Sequence, residues 1–175
     1  LDQRDRAREI LEKTLEASPQ DPAALRAWIA LEAPNDPGRV LARLDAAIAA
    51  DPKNALLYGL RGSVRTDRIA KGGADAPAEA EQDFETALEP DPNAVDPQLG
   101  LAQLYRAQGR TAEALERYAA ARARLPDNLE IQLEEASFRE ALLEGDNRLI
   151  ERFQQDELVE RVVPVPARLL VMLLR

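Results

Sequence analysis

The side chains that most often carry out chemistry are missing from this chain or stand in the wrong places for it. There is no histidine and no cysteine. That removes zinc sites built on imidazole or thiolate, thiol catalysis and imidazole general-base catalysis. Carboxylates remain, but Glu134 and Glu135 are adjacent, so on a helix they point to different sides and cannot flank one bond as acid and base. The stretch "DNRLIERFQQDELVER" (146–161) is dense in charge and reads as a solvated helix face, not a metal site. "KGGAD" (71–75) has two glycines without the frame of a phosphate-binding loop. Met172, among leucines, reads as core or interface. Arg4, Arg6 and Arg8 alternate with Asp5 and Glu9, which gives local ion pairs of little individual worth. The residues therefore predict a non-enzyme with no cofactor and no metal, and the question passes from catalysis to binding.

Composition narrows the binding classes. The net charge is −9 over 175 residues, and the basic residues are scattered. Both facts argue against nucleic acid, where affinity comes from clustered lysine and arginine displacing counterions. No apolar run approaches the roughly 20 residues that span a bilayer, so no membrane insertion is expected. The most apolar stretch is "ARLLVMLLR" (167–175). Charged residues are 31%, hydrophobic ones 45% and aromatics only 4%, with alanine abundant throughout. That is the composition of a folded chain of closely packed helices, because alanine favours the helix and lets backbones approach. The lack of cysteine is compatible with any compartment and leans slightly toward an oxidising one. The chain opens inside a helical pattern and closes on an apolar one, as an excerpt of a longer protein would.

The elements that would position a binding site repeat along the chain. Ala114 and Tyr118 are followed by Pro126; Ala80 and Phe84 by Pro92; Val40 and Leu44 by Pro52; Ala7 and Leu11 by Pro19. In each set the spacing is four and then eight residues. The prolines are 33, 40 and 34 residues apart. The longer interval contains "AKGGADAP" (70–77), which reads as a lengthened turn. Within a unit the pattern predicts two helices. In the best one, Asp96 is expected to cap the first helix, Gly109 to end it in the left-handed conformation, and Thr111 to cap the second. Asp-Pro recurs at 21–22, 36–37, 51–52, 91–92 and 96–97, each at an expected helix boundary. Helices are expected over 2–17, 22–33, 37–50, 54–69, 77–89, 97–108, 112–125, 129–144, 147–161 and 167–174, with no strand.

These residues resemble the tetratricopeptide repeat, W-x2-L-G-x2-Y, A-x3-F, P over 34 residues. The third full unit matches through Gln98, Leu101, Ala102, Tyr105, Ala114, Tyr118 and Pro126, departing only at the tryptophan position. The second matches through Tyr58, Gly62, Ala80, Phe84 and Pro92. It departs at Arg61 and Arg65, which predicts a less regular first helix. The first matches through Leu25, Trp28, Ile29, Val40, Leu44 and Pro52. The fourth is degraded: Ala136 fits, Gly145 is expected to end its first helix, Leu149 and Phe153 serve the second, and Arg161 replaces the proline. The resemblance implies an all-α solenoid, a right-handed superhelix of about four helix-turn-helix units with flanking half repeats. It covers 1–175 as one array, with units at 1–19, 20–53, 54–93, 94–128, 129–163 and 164–175. The alanine- and arginine-rich style looks like that of bacterial members.

The resemblance also implies a use. First helices of successive hairpins line a concave groove for a peptide or protein segment. Carried over, the groove positions are Arg26, Ser63, Thr66, Leu99, Gln103, Arg106, Ser137 and Glu140, with Ala30, Gly59 and Leu133 beside them. Arg26 or Arg106 would meet a carboxylate. The lysine–asparagine clamp of chaperone-binding members is missing. The alternative is self-association, a homo-oligomer through the terminal helices, as a spacer segment of a larger envelope or multidomain protein.

Overall fold

The computed structural model describes residues 3–155, and over these it is all-helical. The helices are α1 (Gln3–Ala17), α2 (Pro22–Glu32), α3 (Pro37–Ala50), α4 (Ala55–Ala70), α5 (Pro77–Leu88), α6 (Val95–Ala107), α7 (Thr111–Arg124) and α8 (Leu129–Gln155). The chain divides into two compact units, Leu1–Ile131 and Gln132–Arg175. In the first, helices adjacent in sequence are adjacent in space, and α4 also packs on α6. First helix on first helix is the signature of stacked hairpins, so the first unit is an α-solenoid.

Four proline turns set the period. The N–H groups of Asp21, Asn54, Ala94 and Asn128 donate to the carbonyls of Ser18, Asp51, Asp91 and Leu125 at 3.0–3.2 Å. Each turn carries proline second, where its fixed φ suits the geometry. The Asp-Pro pairs thus have two jobs. Asp21 and Asp36 cap helices, accepting from the N–H of Ala24 (2.7 Å) and Arg39 (2.9 Å). Asp51 and Asp91 instead open the turns between hairpins.

Two expected caps are corrected. α6 begins at Val95, so Asp96 lies inside its first turn and no side chain caps the helix. The preceding turn already delivers the chain in helical register. α7 begins at Thr111 behind Arg110, again without a side-chain cap, because the Arg110 carbonyl takes the first helical bond, from Ala114 N–H. Gly109 does adopt the left-handed backbone (φ 72°), as does Gly72 (φ 79°). After each, the chain closes back on its helix: Arg110 N–H reaches Tyr105 O at 2.9 Å and Gly73 N–H reaches Arg68 O at 2.7 Å.

The expected break at Gly145 is absent, since α8 runs through it to Gln155. Glycine permits a left-handed helix end but does not compel one, and no proline stands between it and Gln155 to stop the helix. The end of the 147–161 expectation, the 167–174 helix, Arg161 and Met172 lie outside the described residues, as does "ARLLVMLLR".

The repeat positions form the core. Val40, Leu44, Ala80, Phe84, Ala114 and Tyr118 are all 0% exposed, whereas Ala7 and Leu11 on α1 are only half-buried. Phe84 lies against two glycines: a Cβ on Gly62 would stand 3.0 Å from its ring, and one on Gly100 would collide with it. The expected irregularity of α4 is also corrected, because α4 is an unbroken helix of 16 residues. Its two misfit arginines converge on Asp83 of α5, whose side chain is 3% exposed. Arg61 donates to both Asp83 oxygens (2.6–3.2 Å) and to Asp45 (2.7 Å). Arg65 reaches Asp83 at 2.7 Å and Glu79 at 3.0 Å. The hydrogen bond to Asp83 holds the Arg61 guanidinium further into its protonated range.

Candidate peptide groove

α2, α4 and α6 are the first helices of their hairpins, and three depressions lie along them. The first, about 290 Å³, has Arg26 from α2, Gly59, Leu60 and Ser63 from α4, and Val95 and Asp96 from α6 in its lining. The second, about 440 Å³, has Ile29 and Ala30 from α2 facing Ser63, Val64 and Asp67 from α4, with Lys71 just beyond the helix end. The third, about 250 Å³, has Thr66, Asp67 and Ala70 on one side and Gln103 and Arg106 of α6 on the other. Ser63 belongs to the first two and Asp67 to the last two, so the three adjoin one another along α4 and are taken together as the trough.

The trough opens because its walls are short. Gly59 has no side chain, and alanine stands at 30, 33, 55, 70, 87, 94 and 107. Its polar groups fall into two sets. Some are already engaged: Ser63 and Thr66 donate their hydroxyls to Gly59 O and Gly62 O, each at 2.9 Å, which leaves only lone pairs for a ligand. Arg26 meets Asp96 at 2.5 Å across 70 residues of sequence. Asp67, Lys71 and Arg106 are exposed and carry no ion pair among the described residues.

Of the groove residues expected from sequence, Arg26, Ser63, Thr66, Gln103 and Arg106 line the trough. Thr66 is buried, so it shapes the floor. Leu99 is half-buried and lines none of the three depressions. Ser137 and Glu140 are exposed on α8 in the second unit. The sequence reading missed Asp67, Lys71 and the turn of Asp96 toward Arg26. Stacking the repeats in register carries the signal for the last: Arg26 follows its unit's first pattern position, Leu25, by one residue, and Asp96 precedes Gln98 by two.

Behind the trough, Tyr105 donates to Glu81 at 2.6 Å under the Arg110 guanidinium, which lies 4.0 Å from the ring centre. Burial, then the bond to Glu81, pushes the Tyr105 phenol above its ordinary range. The Glu113 carboxyl is held below its usual range by a hydrogen bond from Arg110. Among the described residues no histidine, cysteine or carboxylate cluster converges as a metal site, and no helix is long and apolar enough to cross a membrane.

Stacked two-helix hairpins with a trough along their first helices define a helical-repeat protein. Residues 73–137 match the tetratricopeptide repeat family model, which identifies that segment as tetratricopeptide-repeat sequence. No curated protein matches. Among solved structures, a thermophilic TPR protein of Thermus thermophilus is similar, with 20% identity, coverage of 77% of this chain and 90% of that one, and a TM-score of 0.46.

Proposed function

We propose that this chain is a non-catalytic interaction scaffold that holds a peptide or protein segment in the trough along α2, α4 and α6. The observation that carries this reading is that three depressions adjoin one another along α4, at Ser63 and at Asp67. From Gly59 to Lys71 the trough runs about 18 Å at helical rise, the length of five or six extended residues. Its alanine walls accept apolar side chains, and Asp67, Lys71 and Arg106 supply charge at fixed points. The whole chain as one array of units over 1–175 belongs to the same proposal.

Cross-linked capture from a lysate tests it, with the parent chain beside Gln103→Ala/Arg106→Glu checked for normal helicity. A partner held by the parent and lost by the variant supports the trough. A partner held equally by both moves the site elsewhere. The second reading, self-association, is supported by the exposed leucines of α8, Leu133 (68% exposed) and Leu143 (57%). A solution mass that rises with concentration favours it.

A further inference from the structure

The first depression differs from the other two in having an ion pair between two of its lining residues. Its interior is apolar, made by Leu56, Leu60, Ala87, Val95 and Pro97 around the bare backbone of Gly59. Within its lining, Arg26 and Asp96 join α2 to α6. Their side chains are 50% and 64% exposed, so the pair is weak and its partners exchange readily with other charges in water. The trough also has its own electrostatics. Across the three depressions the lining holds Arg26, Arg68, Lys71 and Arg106 against Asp67 and Asp96. That is four cations and two anions, on a chain with 23 basic and 32 acidic residues. Arg68 is answered by Asp75 at 2.8 Å and Arg26 by Asp96, so Lys71 and Arg106 against Asp67 leave the lining with a small positive excess on an acidic molecule.

The geometry points to a specific occupant, on the premise that the trough is a peptide site: a segment with an apolar side chain next to an acidic one. The apolar side chain enters the first depression. The neighbouring carboxylate replaces Asp96 on Arg26, forming the same kind of charge-assisted hydrogen bond, and Asp96 is released to solvent at the rim. Asp96 is thus a built-in competitor that occupies Arg26 until an acidic ligand arrives. The remaining acidic residues of the segment run toward Lys71 and Arg106. Complementary charge of this kind sets specificity and encounter rate more than raw affinity.

A randomised nonapeptide library, selected on the full chain, provides the probe. The selected peptides are then titrated against variants and cross-linked through a photoreactive residue at position 63. The expected peptides pair an apolar residue with Asp or Glu. Asp96→Asn removes the competitor and tightens them about three- to fivefold. Arg26→Gln abolishes the preference for the acidic residue. Gly59→Ala, whose new methyl sits in ordinary contact 3.7 Å from Ala87 Cβ, narrows the depression and weakens binding of large apolar side chains while the fold persists. Peptides that cross-link at position 63 but ignore all three substitutions, or a selection without acidic residues, overturn the inference and leave the groove reading standing. Selected peptides that fail to cross-link at position 63 overturn both.

Discussion

The second and third hairpins are the same object built with opposite chemistry. Where α6 places Leu101 and Tyr105, α4 places Arg61 and Arg65; where α7 places Arg117 before Tyr118, α5 places Asp83 before Phe84. In the third hairpin the Arg117 guanidinium faces the Tyr105 ring at 5.9 Å, a cation–π contact. In the second they form an ion cluster around a carboxylate that is almost fully buried. The first hairpin gives a third solution. Glu32, at the position of Tyr105, is held between Arg8 (2.6 Å) and Arg39 (3.2 Å), while Arg39 and Arg43 lie over the Trp28 ring. The backbone is indifferent to which solution fills the position, provided that every buried charge is answered from the neighbouring helix.

That comparison is broken most strongly at Asp83. Asp83→Ala leaves two mostly buried guanidinium groups without their shared partner and should cost about 3–5 kcal/mol in denaturant unfolding. The triple change Arg61→Leu/Arg65→Met/Asp83→Leu replaces the ion cluster of the second hairpin with apolar side chains. It should restore the parent's stability or exceed it by about 1–4 kcal/mol. A triple variant as unstable as the single one would show that the ion cluster specifies the hairpin rather than merely satisfying it.

Packing across the same interface gives the next effect. Gly100→Ala forces a methyl into the Phe84 ring and should cost about 1–3 kcal/mol. Gly59→Ala, on the trough side, should be neutral or stabilise by up to about 1 kcal/mol through helix propensity. Equal losses at both positions would contradict the placement of Phe84. Smaller again is the pair of left-handed glycines. A Cβ at Gly72 or Gly109 would meet nothing within 4 Å, so alanine at either costs only backbone strain, about 1–2 kcal/mol. The two losses should match although one turn is longer.

The smallest effect separates Tyr105 from its counterpart Arg65. The phenol is raised in the folded chain, so its contribution is fully present below the unfolded value near 10 and is lost as pH rises through the folded value. Tyr105→Phe should flatten the alkaline decline in stability. An ultraviolet titration should show the phenol ionising later in the folded chain than in denaturant.

Much of this fold is legible in the sequence because it repeats. Proline, small residue and aromatic recur at one period, and the structure turns each proline into a hairpin turn and, from α3 onward, each small and large pair into a fully buried contact. What escapes is what the period does not encode. Gly145 carries the same letter as Gly109 yet stays helical, since the difference lies in the residues after it. Arg61 and Arg65 read as misfits because their answer, Asp83, sits on another helix. The wall of the trough was readable at Arg26, Ser63, Gln103 and Arg106, where it follows the repeat register. Its ion pair was not, because Arg26 and Asp96 meet only when units two apart are stacked.

The most direct measurement is photocross-linking of the chain to its partner from two positions: 63, in the trough, and 116, exposed on α7. Binding along α2, α4 and α6 predicts an adduct from position 63 that a selected peptide competes away, and none from position 116. An adduct from position 116 alone would contradict it and place recognition on the second helices of the hairpins.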